Sequence, residues 1–125
     1  MIIGIGCDVL HIDRVYKLLS YKNFLVKYFT KNEINMFRQN IVNEKNYVKK
    51  IASNLCVKEA LFKSISNEIS LFKFSDVEVL RNCNGSPYIN LHNDLRKFNE
   101  KYNIHVTISN EKNIVTSFVV LEKIN

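Results

Sequence analysis

The sequence predicts a single α+β domain in which a mostly antiparallel sheet packs against one long helix. Three observations support this fold class: an apolar run opens the chain, a long helical periodicity fills its middle, and two strand pairs with turn signals follow. The chain has 125 residues, 46% of them hydrophobic, so one domain spanning residues 1–125 can build its own core.

The first half of the chain is predicted to form one strand and three helices. "IIGIG" is typical of a buried strand whose backbone passes close to a neighbour. Helical spacing from about Asp8 to Ser20 then places Asp8 at the strand-to-helix junction, with an apolar face of Val9, Ile12, Val15, Tyr16 and Leu19. "TKNE" at Thr30 to Glu33 fits a capping box that starts a helix to about Asn40.

The third helix should be the longest, from about Lys45 to Ile65. Its predicted core face consists of Val48, Ile51, Ala52, Leu55, Leu61 and Phe62.

The second half is predicted to form two hairpins around a short helix. Asp76 to Arg81 reads as a strand, "NCNGSP" is the strongest turn signal in the chain, and "YINL" completes the first hairpin. A short helix should cover Asn93 to Tyr102. "HVTIS", "NEKN" and "IVTSFVVLE" then predict a strand, a turn and a returning strand.

Charge and cysteine content narrow the possible functions. The net charge of +6 favours an acidic partner without choosing among coenzymes, proteins, membranes and nucleic acids. The chain has no tryptophan, and its scattered Phe and Tyr residues give no stacking platform for single strands. No apolar run is long enough for a membrane span. Cys7, Cys56 and Cys83 are expected to be small buried hydrophobes in a reducing compartment.

One carboxylate and one amine interrupt the apolar middle helix. Because residues four apart share a helix face, Glu59 and Lys63 lie on one stripe. This spacing alone favours a surface salt bridge, which contributes about 0.3–0.5 kcal/mol. Asp8 supports a second interpretation, since two carboxylates from different elements are a suitable partial ligand set for Mg²⁺. Asp8 is also a strong candidate for the N-cap of the first helix, and one carboxylate can fill both roles.

A row of polar side chains lies on one face of a predicted strand near the end of the chain. His105, Thr107 and Ser109 alternate with apolar residues, so they share that face. The row has the groups to receive phosphate oxygens, and it also fits the polar outer face of an edge strand. No phosphate-binding loop or Ser-His-Asp order is present.

Five motifs occur in a fixed order along the chain: "GIGCDVLHIDRV", "FTKNE", "VKEALFKS", "NGSPYI" and "HVTIS". Together they resemble the holo-[acyl-carrier-protein] synthase family, the small bacterial-type 4′-phosphopantetheinyl transferases. The resemblance covers nearly the whole chain. The KEA-x-x-K helix and the upstream G-x-D form a fairly specific pair.

The resemblance implies a fold, a reaction and partners. The fold is the 4′-phosphopantetheinyl transferase fold with one domain per subunit, assembled as a homotrimer with each site between two subunits. The reaction moves the 4′-phosphopantetheine group from coenzyme A to a serine of apo acyl carrier protein, releases 3′,5′-ADP, uses Mg²⁺ and serves fatty acid biosynthesis. The family default compartment is the cytoplasm; an organelle such as a plastid fits if a targeting segment was removed. Nucleic acid is not an expected partner.

The resemblance also assigns roles to individual residues. Asp8 and Glu59 match the metal ligands, and Lys63 matches the residue near the pyrophosphate, so these three form the implied catalytic set. The positions implied to hold the nucleotide end of coenzyme A are Asn84, Gly85, Pro87, His105 and Thr107. Arg14 matches a basic position that docks the carrier protein, and Lys17 on the same helix is a second docking candidate.

The chain departs from the family pattern at three positions. "SISNEIS" replaces a glycine-rich turn after the KEA helix, Asn54 stands where a basic residue is common, and Asn110 replaces a second histidine. Two other functions therefore stay open. One is a family member that binds coenzyme A without transfer, and the other is a non-enzymatic basic module that binds an acidic partner.

Overall fold

The computed structural model describes all 125 residues. Its elements in chain order are β1 (Ile2–His11), α1 (Ile12–Leu19), α2 (Phe24–Tyr28), α3 (Lys31–Arg38), α4 (Glu44–Ile65), β2 (Val77–Arg81), β3 (Pro87–Leu91), α5 (Phe98–Lys101), β4 (Tyr102–Glu111) and β5 (Ile114–Lys123). Single 3₁₀ turns precede β2 at Phe74–Asp76 and α5 at Asn93–Leu95.

Two antiparallel sheets pack with the long helix, as the predicted fold class requires. The larger sheet has the strand order β1-β5-β4, and β2 with β3 forms a separate hairpin. Helix α4 lies across one face of the larger sheet, with its strongest contacts to β1 and β5. Its predicted core residues are buried, except that Phe62 is only partly buried. The opposite face of the sheet is open.

The first helix begins later than predicted. β1 continues to His11 because its antiparallel pairing with β5 runs from Ile2 to the pair His11 and Ile114. The N-cap of α1 is therefore His11, whose Nδ1 accepts the Asp13 amide N–H at 3.2 Å, and the N-cap interpretation of Asp8 is wrong. Val9 belongs to β1 and is 64% exposed. Sheet pairing here overrides a helical spacing that the local sequence also satisfies.

The other element boundaries follow the predictions more closely. The capping box at Thr30 and Glu33 is confirmed, and α4 starts one residue before the predicted position. Both predicted hairpins are present. The helix predicted over Asn93 to Tyr102 is wrong as a single element, because a 3₁₀ turn and the short α5 share this segment and Tyr102 already opens β4. Helix α2 was not predicted.

Two glycines in β1 let α4 lie directly on the strand. A Cβ atom added to Gly4 would be 1.8 Å from the carbonyl oxygen of Ser64, and one added to Gly6 would be 1.9 Å from that of Ala60. No side chain fits at such distances, so the space between the two backbones requires glycine at both positions. This approach fixes which residues of α4 face β1.

A buried lysine ties the far side of α4 to three other segments. The Lys58 ammonium group is fully buried, and its three N–H donors are surrounded by four acceptors: the Glu33 carboxylate at 2.7 Å and the carbonyl oxygens of Tyr28, Phe74 and Val77 at 2.6–2.8 Å. Burial lowers the pKa of Lys58 to about 8 and raises that of Glu33. The lysine of the KEA motif therefore holds α2, α3 and β2 against α4.

We expect Gly6→Ala to lower the free energy of unfolding by about 3 kcal/mol, because the added methyl group must push α4 away from β1. Urea unfolding measures the loss. Gly85→Ala is the matched control: its Cβ meets no atom within 4 Å, and its φ of +90° alone should cost about 1 kcal/mol. A Gly6→Ala variant as stable as Gly85→Ala would contradict the close packing of strand and helix.

Candidate active site

Asp8 lies in the middle of β1 on the face that carries Gly6 and Leu10. This face points toward α4, and the β5 residue opposite Asp8 is Ser117. The Asp8 side chain is only 12% exposed. Because the preceding glycines bring the helix close, the carboxylate sits beside the C-terminal half of α4 instead of capping α1.

Lys63 reaches from α4 to this carboxylate. Its ammonium group donates to the Asp8 Oδ1 atom at 3.2 Å and to the carbonyl oxygen of Cys7 at 2.9 Å. An ammonium group has three N–H donors, so one donor of Lys63 remains for another acceptor. The second Asp8 oxygen, Oδ2, is buried and has no hydrogen-bond partner. A buried unpaired carboxylate oxygen is costly unless a cation or ligand binds it.

Glu59 is paired with Arg14, on α1, and not with Lys63. The two guanidinium nitrogens of Arg14 donate to the two Glu59 oxygens at 3.0 and 3.4 Å. The interpretation of Glu59 and Lys63 as an ion pair along one helix is therefore wrong. Each of the two makes its ion pair with a residue from another element, because β1 and α1 both lie against this stripe of α4.

The protonation of Glu59 is shifted toward neutral pH. Burial, and then the neighbouring Asp8 carboxylate, raise the pKa of Glu59 to about 7, while Arg14 acts in the opposite direction. Two carboxylates that crowd each other in this way gain most from a shared cation. Lys63 and Arg14 match the two carboxylates in number, yet they do not hold the pKa of Glu59 at its ordinary value.

A cavity of about 390 Å³ connects this cluster to the polar row on β4. Its lining includes Asp8, Lys63, Thr107, Ser109 and Ser117. Thr107 and Ser109 line it from the open face of the sheet, because Thr107 pairs with Phe118 and Phe118 with Cys7, whereas Asp8 lies on the face toward α4. The backbone carbonyl of Asp8 accepts a weak hydrogen bond from the thiol of Cys56, which is buried. Burial raises the pKa of this thiol to about 12.

The remaining coenzyme A candidates lie apart from this cavity within one chain. His105 is on the same face of β4 as Thr107, and its ring contacts the Glu122 carboxylate at 3.0 Å. Asn84, Gly85 and Pro87 form the turn and first strand residue of the β2–β3 hairpin. None of these four residues lines the cavity that contains Asp8.

Asn54 occupies a buried position that the sequence did not explain. Its amide donates to the Glu33 carboxylate and to the Val79 carbonyl, both at 2.9 Å, and its oxygen accepts from the Arg81 guanidinium at 3.0 Å. A positive charge thus reaches this point from β2 and not from α4. Arg81 was not singled out from the sequence, because only the tertiary fold places the end of β2 beside α4.

The carboxylates fit a small divalent cation. No group of three or more His, Cys, Asp or Glu side chains capable of holding a metal ion is present, so Asp8 and Glu59 stand as a pair. Mg²⁺ suits such a pair, because it binds proteins through one or two carboxylates and completes its shell with waters and phosphate oxygens. The unpartnered Oδ2 of Asp8 is the ligand atom that the protein itself leaves available.

The comparison with known proteins decides the family. The model of the 4′-phosphopantetheinyl transferase superfamily matches residues 4–119. This chain belongs to that superfamily. The holo-[acyl-carrier-protein] synthase of Clostridium perfringens is 38% identical over 98% of this chain and 95% of its own length. That of Lachnoclostridium phytofermentans is 36% identical over 98% and 97%.

Solved structures of the superfamily share the whole fold. A holo-ACP synthase from Plasmodium yoelii superposes with a TM-score of 0.84 at 26% identity, over 100% of this chain and 98% of its own. A synthase from Bacillus anthracis in complex with CoA (3′,5′-ADP) reaches 0.70 at 26% identity, over 98% of both chains. The predicted family and fold class are therefore confirmed.

Two further findings concern environment. None of the helices has the length and apolar composition that crossing a bilayer requires. All three cysteines are free; Cys56 is buried as predicted, whereas the prediction that Cys7 and Cys83 are buried is wrong, because both are exposed.

The raised pKa of Glu59 predicts a pH-dependent stability gain for Glu59→Gln. The folded state holds this proton up to about pH 7 while the unfolded chain releases it near the ordinary value of 4.5, so the wild type loses stability between these values as pH rises. We expect the stability of Glu59→Gln relative to the wild type to rise by about 1–2 kcal/mol from pH 5 to pH 8. This is less than the full pKa shift would give, because the Glu59 side chain is 19% exposed and solvent screens its charge.

Urea unfolding of both proteins at the two pH values measures this difference, which already includes the Arg14 pair, because that pair acts on the ionised form of Glu59 and so contributes to its pKa. Glu100→Gln, which removes an exposed carboxylate on α5, should show no such trend. A Glu59→Gln effect that is equal at pH 5 and pH 8 would contradict the shift.

Proposed function

We propose that this chain is a holo-[acyl-carrier-protein] synthase, which transfers the 4′-phosphopantetheine group of coenzyme A to a serine of apo acyl carrier protein and releases 3′,5′-ADP. The proposal rests on one observation: the side chains of Asp8, Glu59 and Lys63 form a cluster. The family match of this chain spans residues 4–119. The relatives named for this activity match nearly the full chain, and a structural relative is described in complex with CoA. Fatty acid biosynthesis is the corresponding role.

Asp8 and Glu59 are the residues that would hold Mg²⁺. Their support is the low exposure of both carboxylates, the unpaired Oδ2 of Asp8 and the raised pKa of Glu59, each of which a divalent cation would relieve. When bound, Mg²⁺ supplies charge neutralisation to the phosphate oxygens of the reacting group.

The side chains of this site would act mainly by position and charge. Lys63 is fixed by the Cys7 carbonyl and Asp8, and its remaining N–H can donate to an oxygen of the pyrophosphate. The serine oxygen forms a bond to the phosphorus that carries pantetheine, the bond from that phosphorus to the 3′,5′-ADP oxygen breaks, and the serine proton passes to a base. A fixed ammonium group stabilises the negative charge that grows on the departing phosphate.

The nucleotide end of coenzyme A would lie across two subunits of a homotrimer. Thr107 lines the Asp8 cavity, whereas the hairpin with Asn84, Gly85 and Pro87 does not, and we propose that a second copy supplies the group that one chain does not bring to this cavity. The open face of the main sheet supports this assembly. It exposes Ile5 by 60% and Phe118 by 43% in addition to Val9, and apolar patches of this kind mark protein contacts.

The carrier protein would dock on the basic surface that begins at α1. Arg14 and Lys17 are both exposed on this helix. A neighbouring cavity of about 580 Å³ is lined by Lys22, Lys31 and Arg38 together with apolar residues of α1, α2 and α3. Such a combination suits an acidic helix with an apolar stripe. We place the reaction in the cytoplasm, which the three free cysteines support, because reducing compartments preserve thiols.

We expect Glu59→Gln and Asp8→Asn each to lower the transfer rate at least about a hundredfold at ordinary Mg²⁺, because each removes a charged ligand at the reacting phosphate. Mass spectrometry of apo acyl carrier protein after incubation with coenzyme A measures the added group. Glu100→Gln, an exposed change on α5, is the matched control and should retain the wild-type rate.

The same assay separates the two other functions. If the wild type binds coenzyme A but never modifies a carrier, it is a catalytically silent family member. If acidic partners bind with strong salt dependence, no effect of EDTA and no need for Asp8 or Glu59, it is a basic binding module. Wild-type turnover by Glu59→Gln would show that the site assignment is wrong.

The trimer predicts a particle of about three times 14.7 kDa in sedimentation equilibrium. It also predicts that inactive Asp8→Asn subunits, refolded together with subunits carrying a hairpin change such as Gly85→Arg, regain activity through mixed interfaces. A monomeric mass, or no recovery in the mixture although each variant folds, would contradict a site between subunits.

A further inference from the structure

Arg14 donates hydrogen bonds to both carboxylate oxygens of Glu59, a proposed metal ligand. Its guanidinium group crosses from α1 to α4 and donates to Glu59 Oε1 at 3.0 Å and Oε2 at 3.4 Å. In this state Glu59 has its charge balanced by the protein itself. A cation that needs a Glu59 oxygen must compete with a guanidinium group already in place.

The second cation of the site is held differently. Lys63 has an anchor outside the carboxylates, the Cys7 carbonyl at 2.9 Å, and it leaves Oδ2 of Asp8 free. The side chain of Arg14 has no hydrogen bond other than those to Glu59, and it is 54% exposed. Of the two cations, Arg14 is therefore the one that can leave without breaking a further contact.

We propose that Arg14 is an internal counter-ion of the metal-free site, which Mg²⁺ displaces from Glu59 and which then becomes available to acidic groups of the carrier protein. This inference rests on the proposed function, since it takes the metal ligands and the docking role of Arg14 from there. The Arg14 guanidinium group would pair with Glu59 before the metal binds and with the carrier protein afterwards. Metal loading and carrier docking are then coupled through Arg14.

The coupling follows from charge and geometry. The Nη1 and Nη2 edge of the guanidinium group binds Glu59 with two hydrogen bonds, so the same edge cannot bind a carrier carboxylate while the Glu59 pair is intact. A divalent ion beside Glu59 repels the arginine and replaces its neutralising charge. By linkage, a metal that releases Arg14 must raise the affinity for the carrier by the same factor with which the carrier raises the affinity for the metal.

Metal binding tests the first half of the proposal. Mn²⁺ is the probe, because its free ion gives an electron paramagnetic resonance signal that titration with protein depletes. We expect Arg14→Gln to bind Mn²⁺ about three- to tenfold more tightly than the wild type, since the competing pair is lost. Arg96→Gln removes the same charge from an exposed position on another segment and should leave the affinity unchanged.

The outcomes separate this inference from the proposed function. If Mn²⁺ binds and Asp8→Asn abolishes binding, but Arg14→Gln binds no more tightly than the wild type or Arg96→Gln tightens equally, the counter-ion role is overturned and the metal site stands. If Asp8→Asn and Glu59→Gln bind Mn²⁺ with the wild-type affinity, the proposed metal site itself is wrong.

Carrier binding tests the second half. The probe is an apo acyl carrier protein with its acceptor serine replaced by alanine, so that no transfer occurs. Mg²⁺ should tighten its binding to the wild type about threefold or more relative to EDTA, and this gain should vanish in Arg14→Gln. An equal gain in Arg14→Gln, or no gain in a wild type that binds Mn²⁺, would overturn the coupling.

Discussion

The direct contact between β1 and α4 is the constraint on which the rest of the structure depends. Gly4 and Gly6 carry no side chain, so the backbone of the strand reaches the carbonyl groups of the helix. This contact fixes the rotation and height of α4, and it thereby places Glu59 and Lys63 beside Asp8. The close neighbour that the sequence predicts for this strand is therefore α4.

Lys58 and Glu59 are adjacent on α4 but face different surroundings, because a helix turns by about 100° per residue. Lys58 points into the protein and neutralises the buried Glu33 while binding carbonyl groups of three segments. Glu59 points toward β1 and α1, where Arg14 pairs with it and the Asp8 carboxylate opposes its ionisation. The KEA motif therefore joins an internal anchor to an external ligand, and a loss of function at Lys58 would reflect folding more than chemistry.

In the absence of ligands, the carboxylates of the site are only partly compensated by hydrogen bonds and ion pairs. Two carboxylates crowd each other, one oxygen of Asp8 has no partner, and two cations from different elements balance the rest. Such an arrangement sacrifices some stability, and a ligand that brings positive charge or phosphate groups restores it.

Periodicity, local hydrogen bonding and ordered motifs are enough to predict the fold class, the long helix, the capping box at Thr30 and the family. Residue type and spacing also single out Asp8, Glu59 and Lys63. The partners of these residues depend on packing: spacing pairs Glu59 with Lys63, whereas in the structure Glu59 pairs with Arg14 and Lys63 with Asp8. Pairing between residues far apart in the chain depends on how elements are stacked, and local patterns carry no information on that stacking.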